Sequence, residues 1–161
     1  MKDELTLRNI NEGNKIYWED FKVGEQKFLG SLKITKEEIL SFAERYDPQY
    51  FHINEDEAKK SIFNGLIASG WQTCSLIMRI ICDSYLINTS SYGSPGIENL
   101  KWLKPVRPND EINVHRKVLS TRQSKSNPII GIVMVLFQAF NQKDELVLEM
   151  TVCHMIGKKR N

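Results

Sequence analysis

The sequence predicts an α+β fold in which an antiparallel sheet wraps around one long, buried central helix. Three observations carry that expectation. The segment from Gly70 to about residue 87 has helical spacing and is apolar nearly all round; four strand-like segments joined by turn residues follow it; and one strand-like segment precedes it. A helix without a polar face has to be covered on all sides, and segments of period two supply a sheet to cover it.

The elements follow in order along the chain. Residues 1–15 are polar, include Asn9, Asn11, Gly13 and Asn14, and show no period, so a flexible arm is expected there. A single domain should span 16–157, with a basic tail over 158–161. Order should begin over 16–21, turn at Gly24, and continue as a strand over 26–34. Thr35-Lys36-Glu37-Glu38 has capping-box spacing. Ile39, Phe42, Ala43 and Tyr46 then form one apolar stripe. Pro48 disfavours helical geometry at Asp47, which should end this helix. A second start at Asn54-Glu55-Asp56-Glu57 predicts a short helix to about Lys60, and a loop over 61–69 leads into the central helix.

In that central helix Trp71, Cys74, Leu76, Ile77, Met78, Ile80, Ile81, Cys82, Tyr85 and Leu86 leave only Arg79 and Asp83 as a wet edge. Each large apolar side chain gains roughly 1.5–3 kcal/mol on burial, so near-complete burial is expected. The later strands should run over 97–103, 111–121, 129–141 and 145–156, with turns at Pro105 and Pro108-Asn109-Asp110, over 124–128 and over 141–144. Segments 97–103 and 129–141 are apolar on both faces and should be covered on both, whereas the last strand places Leu146, Leu148, Met150, Val152 and Ile156 on one face. A sheet of this kind around such a helix is the hotdog architecture.

Composition narrows the function. The 161 residues suit one domain, and 41% hydrophobic with 26% charged residues is an ordinary globular balance. Twenty-two Lys+Arg against twenty Asp+Glu give +2, which argues against a dedicated nucleic-acid or membrane-surface binder. The odd set Cys74, Cys82 and Cys153 sits among apolar neighbours and fits no zinc spacing, so reduced thiols and a cytoplasmic location are expected. The first residues lack the apolar core of a signal peptide. The apolar run over 129–137 is far shorter than the ~20 residues of a membrane helix.

Of the three histidines, His115 has polar neighbours at i±2 and should face solvent, while His154 shares a face with Val152 and Ile156 and should pack in the core. His52 differs. It ends the segment Asp47-Pro48-Gln49-Tyr50-Phe51-His52, where a proline bend can bring a carboxylate and an imidazole to one point. Such a pair can hold a water and act as acid or base. From spacing alone, a simpler role stands beside this one: Asp47 caps the turn and His52 packs. Gly70 opens the central helix, whose first N–H groups lack intrahelical partners and carry partial positive charge. It can therefore donate to a carbonyl oxygen, or it can merely relieve crowding. Ser75 is either a ligand contact or an ordinary helix serine.

Asp47 to His52, followed by Phe63-Asn64-Gly65-Leu66-Ile67-Ala68-Ser69-Gly70, resembles the signature of the MaoC-like dehydratases, the (R)-specific enoyl-CoA hydratase group. Trp18-Glu19-Asp20-Phe21-Lys22-Val23-Gly24 is similar to that family's opening, and Leu100-Lys101-Trp102-Leu103-Lys104-Pro105-Val106-Arg107-Pro108-Asn109-Asp110 to its strand and turn after the central helix. The resemblance covers about residues 16–157 and implies a catalytic dyad at Asp47 and His52. It also implies a thioester carbonyl held by the Gly70 amide and a substrate contact at Ser75; Ser69 and Tyr50 are further candidate substrate contacts. Tyr50, Asn64 and Asn109 depart from the family pattern, and Tyr50 bears on acyl-chain preference. The implied activity is reversible hydration of a 2-enoyl thioester to the (R)-3-hydroxyacyl thioester. It requires no metal and no cofactor beyond the coenzyme A (or acyl carrier protein) of the substrate, in a homodimer or larger homo-oligomer. A hotdog acyl-CoA thioesterase and a non-catalytic acyl-thioester binding module are the alternatives.

Overall fold

The computed structural model describes residues 15–160. In chain order they form β1 (Gln26–Lys33), α1 (Lys36–Tyr46), α2 (Tyr50–Ile53), α3 (Glu55–Lys60), α4 (Gly70–Ser84), β2 (Ile97–Trp102), β3 (Glu111–Gln123), β4 (Ile130–Phe140) and β5 (Leu146–Gly157), with short 3-10 turns at Trp18–Asp20 and Leu86–Asn88. The five strands pair antiparallel in the order β1-β3-β4-β5-β2. Residues 1–14, on which the expected arm falls, and residue 161 lie outside the described residues.

Alternation along the three long strands builds the core. Val135 of β4 stands opposite Val118 of β3 and Val152 of β5, and these valines, with Ile112, Phe137 and Leu148, face Ile77, Ile80 and Ile81 of α4. One sheet face thus closes over one long helix. This is a hotdog fold, as the sequence predicts.

The helix signals in the first half act as expected. Thr35 accepts from the Glu38 N–H while the Glu38 carboxylate accepts from the Thr35 N–H, closing the capping box on α1. Asp47 leaves helical geometry at φ −152° and ψ 68°, as Pro48 requires. The segment that follows is not an open loop: Tyr50–Ile53 makes a single helical turn, α2, that carries His52 inward.

Three expectations need correction. The central helix stops at Ser84, because Tyr85 departs from helical geometry and Leu86–Asn88 tightens into a 3-10 turn, so periodicity overruns the helix by about a turn. Its burial is one-sided: a helix lying on a sheet covers one stripe, and the opposite face leaves Trp71 59% and Met78 46% exposed. Segment 97–103 is not covered on both faces: Leu100 packs against the core, and the rest of the segment is largely exposed. It forms the edge strand β2, and a register shift between Glu98 and Lys101 interrupts its pairing with β5. In the basic tail, Lys159 pairs with Asp20 at 2.7 Å and the Lys158 ammonium lies over the Trp18 ring.

Candidate active site

The break at Pro48 and the turn of α2 bring Asp47 and His52 together. His52 Nε2 lies 3.4 Å from Asp47 Oδ2, and the imidazole is buried. His52 Nδ1 is 2.8 Å from the Ile67 carbonyl oxygen, which can only accept. Nδ1 therefore carries the hydrogen, and in the neutral ring Nε2 presents its lone pair. Two acceptors, Nε2 and a carboxylate oxygen, then face one another at 3.4 Å, an arrangement that a donor seated beside both relieves. A water molecule has two O–H bonds to give.

Asp47 is held as a carboxylate. Burial alone would raise its pKa, but the Ser69 hydroxyl, the Gln49 amide and the charge of a protonated His52 outweigh burial and keep it below the ordinary aspartate value. Ser69 Oγ donates to Oδ2 at 2.7 Å and Gln49 Nε2 to Oδ1 at 2.8 Å.

The same Ser69 is the N-cap of α4, its Oγ accepting from the Trp71 N–H at 3.2 Å. The Gly70 N–H has no partner among the described residues. Two long-range bonds set this helix start. Ala68 N–H donates to the Val106 carbonyl at 2.8 Å, and the Trp102 indole N–H donates to the Gly70 carbonyl at 3.0 Å. A Cβ at Gly70 would lie 2.5 Å from the Trp102 ring, so the glycine answers to Trp102 as well as to any ligand.

Asp47, His52 and Gly70 line one cavity of about 450 Å³, walled mainly by apolar groups such as Phe51, Phe63, Trp71, Trp102 and Val147. Ser69 touches it through Asp47. Tyr50 and Ser75 are not among its walls: Tyr50 is exposed and packs on Phe51, while the Ser75 hydroxyl donates to the Trp71 carbonyl and faces a separate groove against α1. The carbonyl of Ile67, which orients His52, carries no sequence signal of its own. Gln49 and Trp102 lie inside the motif segments, but their roles depend on contacts across the chain. Among the described residues no helix is long and apolar enough to cross a membrane.

The comparisons with known proteins bear on the family and the fold. Residues 22–136 match the model of the MaoC like domain. YdeM of Bacillus subtilis, an uncharacterized protein, is 35% identical over 131 residues, covering 81% of this chain and 92% of its own length. The crystal structure of the MaoC-like dehydratase from Rhodospirillum rubrum superposes with TM-score 0.83 at 34% identity, over 91% of this chain and 99% of that one. The R-hydratase PhaJ1 from Pseudomonas aeruginosa shares the fold, with TM-score 0.72 at 21% identity over 90% of this chain and 88% of its own. The chain belongs to the MaoC-like domain family.

Proposed function

We propose that the protein catalyses reversible hydration of a trans-2-enoyl thioester of coenzyme A or an acyl carrier protein, giving the (R)-3-hydroxyacyl thioester. The observation that carries this reading is the pair of facing acceptors, His52 Nε2 and Asp47 Oδ2, in one apolar cavity with the unpaired Gly70 N–H. The family supports the hydro-lyase class.

The thioester carbonyl oxygen accepts from the Gly70 N–H, which draws electron density from C3. A water donates one hydrogen to His52 Nε2 and the other to Asp47 Oδ2. Its oxygen forms the bond to C3 as Nε2 takes the proton, and the C2=C3 pair moves toward the carbonyl, leaving enolate charge on oxygen. The helix N-terminus stabilises that charge, a contribution typically worth ~10²–10³ in rate for one well-aimed donor. The imidazolium sits against the Asp47 carboxylate until a proton is delivered to C2. Coenzyme A enters only as part of the substrate, and no step asks for a metal.

Homodimerisation belongs to the same reading. The uncovered α4 face with Trp71 and Met78, together with the exposed edge strand β2, gives a second copy an apolar face and unpaired backbone groups to meet. Light scattering at micromolar concentration should show a dimer or a larger homo-oligomer, and a stable monomer would refute the assembly.

The activity is tested on a panel of enoyl-CoA chain lengths, following loss of the conjugated enoyl absorbance beside release of free thiol. Absorbance loss without thiol release is expected, and an (R)-specific dehydrogenase should consume the product. Thiol release instead would make the protein a thioesterase.

A further inference from the structure

Beside the dyad, the most tightly specified polar group in this region is one that performs no chemistry. Ser69 is completely buried, yet its hydroxyl makes two bonds that belong to different parts of the chain. It accepts from the Trp71 N–H at 3.2 Å, the ordinary service of a helix N-cap. It donates to Asp47 Oδ2 at 2.7 Å across 22 residues of sequence, which no cap requires. The direction of that second bond is forced, because a carboxylate only accepts and the Trp71 N–H already occupies a lone pair of Oγ. Moreover, Oδ2 is the oxygen that faces His52 Nε2.

We infer that Ser69 is a positioning residue, locking the Asp47 carboxylate in register with the start of α4 so that the acid–base pair and the Gly70 N–H keep one fixed relation. This rests on the hydratase reading for its effect on rate, but not for the coupling itself. Three consequences follow from the geometry. With Ser69 on Oδ2 and Gln49 on Oδ1, the carboxylate has no freedom to rotate away from His52. One Oδ2 lone pair is engaged, leaving the other for the water. Finally, Ser69 immediately precedes Gly70, so any shift of the carboxylate is passed by one peptide unit to the amide that receives the thioester oxygen. A catalytic arrangement tolerates little misplacement of this kind.

Removing a hydrogen bond to a charged group should lower kcat by about tenfold to a hundredfold, with KM nearly unchanged. Ser69→Gly is the variant of choice, since glycine is an acceptable N-cap and costs the helix little. Ser69→Ala serves as a second variant. The first measurement needs no substrate: the Asp47 carboxyl is titrated by NMR in protein labelled with carbon-13 aspartate. Its midpoint should rise by on the order of one pH unit in Ser69→Gly, and an unchanged midpoint overturns the coupling. The second measurement compares kcat in two backgrounds. Loss on Ser69→Gly in the wild type but less than about twofold loss in Asp47→Asn is the mark of a residue acting through Asp47; equal losses in both overturn it. Should the wild type hydrate no enoyl thioester, the reading of the preceding section falls while the titration still decides the role of Ser69.

Discussion

The two ends of α4 each hold a histidine, and the two have opposite surroundings. At the N-terminal end His52 is buried, but its Nδ1 is bonded to a carbonyl, its Nε2 faces a carboxylate, and a cavity opens beside it. At the C-terminal end His154 is equally buried, with its Nε2 unpartnered among the described residues and its ring set against Tyr85 and Phe137. Burial first, and then the Arg116 guanidinium, push its pKa down to about 4. Arg116 itself pairs with Glu25 at 2.5 Å and lies over the Tyr85 and Phe21 rings. Trp18 seals the inner sheet face there, its ring lying where a Cβ on Gly131 would be, 2.0 Å away. Burial therefore does not separate a working histidine from a structural one. What separates them is whether the second ring nitrogen meets a partner and open space.

The largest effect that can break this contrast is at the open end. Asp47→Asn and His52→Gln should each lower enoyl-CoA hydration by ~10²–10⁴, the usual worth of a positioned acid–base group. The double variant should be scarcely slower than either single one, because the two groups share one water. All three should unfold at nearly the wild-type temperature. Undiminished hydration in Asp47→Asn would make the N-terminal histidine as structural as the other.

The sealed end should respond to pH rather than to substrate. With its folded pKa depressed to about 4 against an ordinary 6.5, His154 binds a proton more readily in the unfolded chain between those values. Its neutral burial therefore stabilises fully above about pH 6.5, and that contribution is lost as pH falls toward 4. The loss is at most roughly 3 kcal/mol for this one group. Urea unfolding at pH 7 and at pH 4.5 should show His154→Phe losing less stability than the wild type over the same interval. An identical loss in the two proteins would place the acid sensitivity elsewhere.

How legible these ends were in the sequence depends on how local their causes are. Thr35, Glu38 and Pro48 act within one helical turn, so the limits of α1 follow from spacing. The Asp47–His52 pair also lies within six residues, and its motif points to it. The Ile67 carbonyl, the Ser69 bond to Asp47 and the Trp102 ring against Gly70 join residues 15, 22 and 32 positions apart, and no periodicity encodes such contacts. The exposed face of α4 misleads for a related reason. Apolar residues all round a helix do not say which of its faces the chain's own sheet will cover.

A smaller effect should sharpen the geometry at the open end. Gly70→Ala puts a methyl group 2.5 Å from the Trp102 ring, so the indole must move and its bond to the Gly70 carbonyl must break. About tenfold loss of hydration is expected from misplacing the N–H donor. Trp102→Phe in the same chain should restore part of it by making room. No recovery would show that the methyl group blocks the ligand and not the ring.

The smallest effect concerns two serines six residues apart, one the N-cap of α4 and one within it. Ser69 gives its hydrogen to the Asp47 carboxylate, whereas Ser75 gives its own to the Trp71 carbonyl, four residues back along α4. A hydroxyl bonded to the carbonyl of the preceding turn adds little to a helix and can slightly weaken it. Ser75 also faces the groove between α4 and α1, away from the walls of the cavity that hold the dyad. Ser75→Ala should therefore change hydration by less than about twofold and leave stability within about 0.5 kcal/mol, as surface substitutions usually do. Side-by-side kinetics of Ser69→Ala and Ser75→Ala measure the difference directly. A tenfold loss in Ser75→Ala would bring the substrate across the helix to the α1 side and return Ser75 to the binding site that the family resemblance implies.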